Sequence, residues 1–375
     1  MSTCPYCQSL KTTTIYDALV PSATFACPKN LLDWVKPLPL TVEICKDCCL
    51  GFASKHASDK DLEKIYENYN YVLPSLKIGQ GQYERMLALL TKHYSTSHSL
   101  VEIGCLDGYL LSKLETAGFK SLEGIEPSPA AQRGIDRGLK IHQGYFSAEI
   151  LQNRKVDGFY LMHVLEHFPD PFSALRTMLT HLSPSGKIIL EVPNVCGFQH
   201  EHLFYFSWPF FRRMAKDLAL KILDADVDDS TIRLVLSREG REVEKTQFDQ
   251  IQLENILEKV GAERIAFKNN VQALKDLMAQ SAGKTILWWG SGMASVIYLN
   301  QLDQTQLRDS GIRIVDGDSN RWGQFIPGPN LLIESFNEFK NQRVDILCIA
   351  SSFHKEIAER AKAENILVQS IQVFV

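Results

Sequence analysis

Val101-Glu102-Ile103-Gly104-Cys105-Leu106-Asp107-Gly108-Tyr109-Leu110-Leu111 is an apolar run, a glycine turn and the start of a helix. It is followed by Gly124-Ile125-Glu126-Pro127, a second apolar run ending on a carboxylate 22 positions beyond Gly104. In a doubly wound α/β sheet an acid at that place lies at the crevice where strand order reverses, and it can accept both hydroxyls of a ribose. Glycine in the turn lets backbone approach a ligand closely. The stretch therefore predicts a nucleoside-bearing ligand.

The residues around the turn select among such ligands. A dinucleotide turn carries a third glycine and presents amides to a pyrophosphate. Here that glycine is absent, and Glu102 and Asp107 flank the turn. Carboxylates repel a pyrophosphate and attract a sulfonium or an amino group. The pattern thus favours S-adenosylmethionine over NAD. Further segments follow in order: an Asp157-led strand, Tyr160-Leu161-Met162-His163-Val164-Leu165-Glu166-His167, a helix opened by Pro169-Asp170-Pro171, and a strand over 188–192. Strands alternating with helices are what a parallel sheet requires. Together these residues resemble the S-adenosylmethionine-dependent methyltransferases of the Rossmann-like class I fold. The resemblance implies cofactor contacts from Glu102, Gly104, Cys105, Asp107, Gly108, Glu126, Pro127, His163 and His167, with Gly144 and Tyr145 bordering the adenine.

With 375 residues the chain is long enough for two or three domains. It is 45% hydrophobic and 22% charged, with a formal charge of −4, which offers nucleic acid no basic surface. No apolar run approaches the roughly 20 residues that span a bilayer, and no signal core opens the chain. A soluble cytoplasmic chain is expected. Six of nine cysteines fall in the first fifty residues, five of them in the knuckles Cys4-Pro5-Tyr6-Cys7 and Cys45-Lys46-Asp47-Cys48 with Cys49 adjacent. Such knuckles can give four thiolates to one structural zinc ion; a redox pair and unligated thiols are the alternatives, and Cys27 and Cys49 are spare ligands.

The expected organisation is a zinc-binding module over 1–56, a tyrosine-rich helical linker over 57–95 and the methyltransferase core over 96–240. The core closes with an antiparallel pair at 220–224 and 231–237. A helical connector over 241–282 leads into a second Rossmann-like α/β domain over 283–375. That domain opens with a strand running into Gly290-Ser291-Gly292. This turn either binds a phosphate or only joins strand to helix.

Beyond the strand ending at Pro193 comes Gln199-His200-Glu201-His202-Leu203-Phe204-Tyr205-Phe206-Ser207. Neighbouring histidines at positions 200 and 202 are poorly placed to share a metal. A histidine titrating near neutrality suits proton abstraction beside a carbonyl; a loop histidine bonded to backbone is the plain alternative. Taken with the cysteine knuckles and the C-terminal unit, the chain resembles the sugar C-methyltransferases that act on nucleotide-linked 4-keto-6-deoxysugars. That resemblance implies His202 as acid/base, Glu201 as its neighbour in the site and Tyr71, then Tyr69, lining the pocket. The acceptor would be a small molecule, a nucleotide-linked sugar. Gln199, Asp228-Asp229-Ser230, Met293-Ala294-Ser295 and Ser351-Ser352 depart from the family pattern, all where substrate rather than cofactor would be held. O- or N-methylation on the same scaffold is the second reading.

Overall fold

The computed structural model describes residues 2–67, 80–243, 246–351 and 353–374. Its contacts divide the chain into two units. One is built from the first 18 residues with 39–67 and 82–260, the other from 19–38 and 261–374.

The first unit opens with β1 (Thr12–Pro21), β2 (Pro37–Cys45) and β3 (Gly51–Lys55), and two helices follow, α1 (Asp59–Glu67) and α2 (Gln80–His93). The central elements are β4 (Ser99–Ile103), α3 (Tyr109–Thr116), β5 (Ser121–Glu126), α4 (Ala130–Asp136), β6 (Ile141–Gln143), α5 (Ala148–Leu151), β7 (Val156–Met162), α6 (Pro171–His181) and β8 (Leu182–Pro193). After them come β9 (Phe204–Tyr205), α7 (Trp208–Asp217), β10 (Lys221–Val227) and β11 (Thr231–Ser237), and then α8 (Leu253–Ala279), of which only 253–260 belong to this unit. A seven-stranded sheet runs β10-β11-β8-β7-β4-β5-β6, and β9 joins β3 at the edge of a sheet ordered β1-β2-β3-β9. The pairs β4/β5, β4/β7, β5/β6 and β7/β8 are parallel, while β11 runs antiparallel to β8 and β10. This is the Rossmann-like arrangement expected from the alternating pattern, and the closing antiparallel pair is β10/β11.

Both faces of the sheet are covered, so its strands read as continuous apolar runs. Val101, Ile103, Phe159, Leu161, Ile188 and Leu190 enter one core; Leu100, Tyr160, Ile189 and Val235 enter another with Met86 and Leu90 of α2 and Leu110, Leu111 and Leu114 of α3. Each fully buried Leu or Ile is worth about 1.5–3 kcal/mol. Sequence also stops and starts the helices. Asp170 caps α6 by accepting the N–H groups of Phe172 and Ser173, and Ser207 caps α7 by accepting that of Phe210. Pro171 and Pro209 then occupy positions where no N–H is needed. Chain order reverses between β4 and β7, so the strand ends there open the crevice in which such sheets bind ligands.

The second unit contains β12 (Ile286–Trp289), α9 (Met293–Leu299), α10 (Gln304–Asp309), β13 (Arg313–Asp316), β14 (Phe325–Ile326), β15 (Leu331–Ser335), β16 (Arg343–Ile349), α11 (His354–Ala363) and β17 (Leu367–Val373). Its sheet runs β14-β15-β13-β12-β16-β17, parallel except for the β14/β15 pair. The loop 19–38, inside the stretch expected to form one N-terminal module, belongs to this unit. Cys27 bridges Phe325 as an antiparallel β-partner, and Ala26 packs on the second unit's core. At the Gly290 turn Asp316 accepts the N–H and hydroxyl of Ser291 at 2.8 and 2.6 Å and the N–H of Asp318 at 2.9 Å. Its carboxylate thus closes the turn on itself.

One close approach is testable. A Cβ on Gly158 of β7 would collide with the ring and hydroxyl of Tyr94, which donates to the carbonyl of Lys187 at 2.8 Å. Gly158→Ala should therefore destabilise the first unit by about 1–3 kcal/mol, read as a lower midpoint in chemical denaturation. An unchanged midpoint would refute this packing.

Candidate functional site

The loop leaving β7 builds the site. His163 adopts the left-handed region at φ 53°, uncommon for a residue with a side chain. Its N–H donates to the carbonyl of Glu191 at 2.8 Å, and its Nε2 lies 2.9 Å from Glu191 Oε1. Its Nδ1 lies 3.7 Å from Glu166. Glu191 and Glu166 are both fully buried. Glu191 also receives the Nε–H of Arg233 from β11, whose Nη1 donates to Asp226 and Asp228 at 2.9 and 3.3 Å. Burial alone would lower the basicity of His163, but the carboxylates of Glu166 and Glu191 outweigh it and lift the imidazole to about 9. His163 is thus a cation at neutral pH.

His202 stands in the opposite state. Burial, then the neighbouring His167, pushes its imidazole down to about 3, so it is neutral. Its Nε2 lies 2.8 Å from the amide nitrogen of Gln199, which fixes that amide as donor, and 4.0 Å from Glu166 Oε1. The ring of His167 meets that of His202 edge-on with centroids 4.9 Å apart. His167 Nδ1 is 2.9 Å from the carbonyl oxygen of Glu201 and 3.3 Å from the hydroxyl of Tyr66. His167, expected beside the cofactor, therefore groups with His202. Glu201 is buried beside them, and its backbone rather than its carboxylate orients His167. Tyr71 and Tyr69 lie outside the described residues. His200 accepts the N–H of Ala57 at 3.1 Å and is committed there.

The glycine turn forms as the spacing predicts. Gly104 sits at φ 75°, and a Cβ there would overlap the side chain of Val164. Gly108 at φ 78° begins α3. At the end of β5 Glu126 accepts the N–H groups of Leu106 and Ser128 at 3.0 and 2.8 Å, and its own carbonyl accepts the N–H of Gly144 at 3.0 Å. Pro127 is half-buried beside it and Tyr145 is exposed. Two expectations are corrected. Glu102 does not present a charge to the turn: it is buried and accepts the hydroxyl of Tyr160 at 3.0 Å. Burial first, then the charges of Glu126 and Asp107, raises its carboxyl well above the usual range, although the Tyr160 bond opposes this. Cys105 likewise points into the core, where its Sγ faces Gly124.

The four knuckle cysteines converge. Sγ of Cys4 lies 3.7 Å from that of Cys48, and Sγ of Cys7 lies 3.5 Å from that of Cys45. All four sulfurs lie within 4.8 Å of one another. The Cys48 thiol pushes Cys4 down to about 5 against the opposing effect of burial. Cys27 lies in the second unit, and Cys49 stays outside the sulfur group.

Glu166, Glu191, Arg233 and Tyr66 were not among the residues expected in the site, and Gln199 was expected there only as a departure from the family pattern. For two of them a signal exists: Glu191 and Arg233 are charges inside apolar strand sequences, Ile188-Ile189-Leu190-Glu191-Val192 and Ile232-Arg233-Leu234. A charge so placed must be paired. Arg233→Leu should cost about 3–5 kcal/mol by stranding buried Glu191, measured by denaturant unfolding. A loss below 1 kcal/mol would contradict the ion pair.

Comparison with known proteins agrees with this fold. Residues 77–263, just under half of the chain, match a family model described as a methyltransferase domain. The tRNA U34 carboxymethyltransferase of Sulfurimonas denitrificans is 30% identical over 117 residues, 29% of this chain and 40% of its own length. The ubiquinone biosynthesis O-methyltransferase of Ralstonia nicotianae is 31% identical over 100 residues, 24% of this chain and 42% of its own. The chain thus spans about two fifths of the length of these relatives. Among solved structures, the magnesium protoporphyrin IX methyltransferase of Synechocystis with bound SAM aligns over 49% of this chain and 98% of that one, at 16% identity and a TM-score of 0.37. The match to the methyltransferase-domain model covers the segment that carries the glycine turn, Glu126, His163 and His202.

Proposed function

We propose that this chain is an S-adenosylmethionine-dependent methyltransferase that adds a methyl group to carbon beside a ketone, in a nucleotide-linked keto sugar or a related small keto substrate. The observation that carries the chemistry is the neutral, buried imidazole of His202 beside the ionised carboxylate of Glu166. The carboxylates of Glu166 and Glu191 keep His163 protonated against burial, while burial keeps His202 neutral, and groups held in different states within one site are typical of acid/base chemistry.

The residues at the turn suit the cofactor. Glu126 offers carboxylate oxygens at the strand end, and Asp107 Oδ1 is buried with no hydrogen-bond partner. When bound, the cofactor supplies an electrophilic methyl on a sulfonium. The chain's own residues prepare the acceptor. Nε2 of His202 takes a proton from the carbon next to the ketone, displacing the Gln199 amide from that lone pair. Glu166, 4.0 Å away, offsets the charge the imidazole then acquires. Glu201 fixes His167 against the ring through its carbonyl. Tyr71 completes the pocket in this reading.

A second reading is transfer to oxygen or nitrogen, with the same Nε2 deprotonating a hydroxyl. The likeness to an O-methyltransferase favours it. The formal charge of −4 favours a small acceptor over a polyanion such as tRNA. In D₂O, with cofactor product in place of cofactor, the enzyme should exchange deuterium into a keto-sugar acceptor at the carbon beside the ketone. His202→Asn should abolish both exchange and transfer while leaving cofactor affinity within about twofold, since it contacts no residue of the glycine turn. Methyl transfer without exchange would move the reading to oxygen or nitrogen.

Cys4, Cys7, Cys45 and Cys48 are proposed to hold one structural zinc ion, with sulfurs already grouped to within 4.8 Å. Purified protein should contain one zinc per chain, and Cys4→Ser should lower thermal stability as well as zinc content, because such a site contributes folding energy. Full stability in zinc-free protein would contradict the assignment.

A further inference from the structure

Glu166, His167 and His202 lie apart from the cysteine group, yet they present three donors with unusual freedom. Glu166 is fully buried, and neither of its carboxylate oxygens has a hydrogen-bond partner. Its nearest polar groups are His163 Nδ1 and His202 Nε2, at 3.7 and 4.0 Å. Protonated His163 offsets its charge from 3.7 Å, while neither oxygen is saturated, so both keep lone pairs for a ligand.

Both imidazoles bring a ring nitrogen near that carboxylate. His167 Nδ1 lies 2.9 Å from the carbonyl of Glu201, and a carbonyl only accepts. Nδ1 therefore carries the proton, and Nε2 keeps its lone pair. A histidine that ligates a metal usually donates its other ring N–H to a carbonyl or carboxylate. His202 receives the Gln199 amide at Nε2, so its lone pair is also on that nitrogen. One donor atom from each of the three residues lies within 4.8 Å of the others. A point at the centre of such a triangle is about 2.8 Å or less from every donor, and metal–nitrogen or metal–oxygen bonds are ~2.1 Å, so shifts of well under 1 Å close the shell.

We infer that Glu166, His167 and His202 form a site for a divalent transition-metal cation, and that its occupation silences the enzyme by taking the lone pair of His202. Two imidazoles and one carboxylate suit Zn²⁺ or Co²⁺ and not the all-oxygen shells of Mg²⁺ or Ca²⁺. Binding stands on the donor geometry alone; the effect on turnover rests on the reading of His202 as base. The site is thus a point of metal inhibition inside the acceptor pocket, distinct from the tetrathiolate zinc.

Co²⁺ titrated into the zinc-replete full chain tests this. One equivalent should bind with the weak visible bands of nitrogen and oxygen ligation and none of the intense thiolate charge-transfer absorption that entry into the cysteine group would give. Zn²⁺ should displace it and millimolar Mg²⁺ should not. Glu166→Gln and His167→Gln should each weaken binding roughly tenfold or more, and turnover should fall in step with occupancy. Absence of a second equivalent on the wild-type protein, which needs no variant to fold, overturns the site. Equal affinity in both variants overturns it as well. Cobalt bound through these residues with turnover unchanged overturns the inhibition and the base role of His202 while the site stands.

Discussion

Everything at the site hangs on one buried carboxylate. Glu191 ends β8 with no exposure, and it is held by Arg233 from β11 on one side and by His163 from the β7 loop on the other. An unpaired charge there would cost several kcal/mol, so the pairing is obligatory. It forces His163 into a left-handed backbone conformation, and the next four residues take their direction from that turn. Val164 is delivered against Gly104, Glu166 against His202 and His167 against Glu201. A single short loop therefore touches both the glycine turn and the acceptor group.

The same constraint sorts the histidines. His163 sits between two carboxylates and is charged; His202 sits one layer deeper, faces one carboxylate at 4.0 Å and shares its surroundings with another imidazole. Desolvation dominates for His202 and is outweighed for His163. Two residues of one chemical type thereby acquire opposite charge states within one site. Removing Glu166 would disturb both, since it faces each of them.

Much of this was legible before any coordinates. The glycine turn, Glu126 at the strand end, the β10/β11 pair and the grouping of four cysteines all follow from local pattern, because each depends on residues a few positions apart or on a stereotyped chemistry. What was not legible depends on which face a side chain takes and what covers it. Glu102 and Asp107 look equivalent as acids flanking a turn, yet strand alternation sends Glu102 into the core, where it accepts the hydroxyl of Tyr160 and burial raises its carboxyl well above the usual range. The electrostatic case for a sulfonium thus rests on Asp107 and Glu126. His167 reads as a cofactor neighbour from its place after β7, but the one turn of 3₁₀ helix over Leu165–His167 rotates it toward His202. The assignment of residues 19–38 to the second unit was invisible for another reason. It rests on a strand bridge between Cys27 and Phe325, nearly three hundred positions apart.

The account's central claim is that His202 stays neutral with its lone pair on Nε2 while His163 carries a proton. Long-range ¹H–¹⁵N spectra of the histidine rings across pH 5 to 9 measure this directly. The structure predicts His202 in one neutral tautomer throughout, protonated on Nδ1, and His163 doubly protonated until the pH nears 9. A His202 ring that takes up a proton near pH 6.5, as a solvent-exposed imidazole does, would contradict the account.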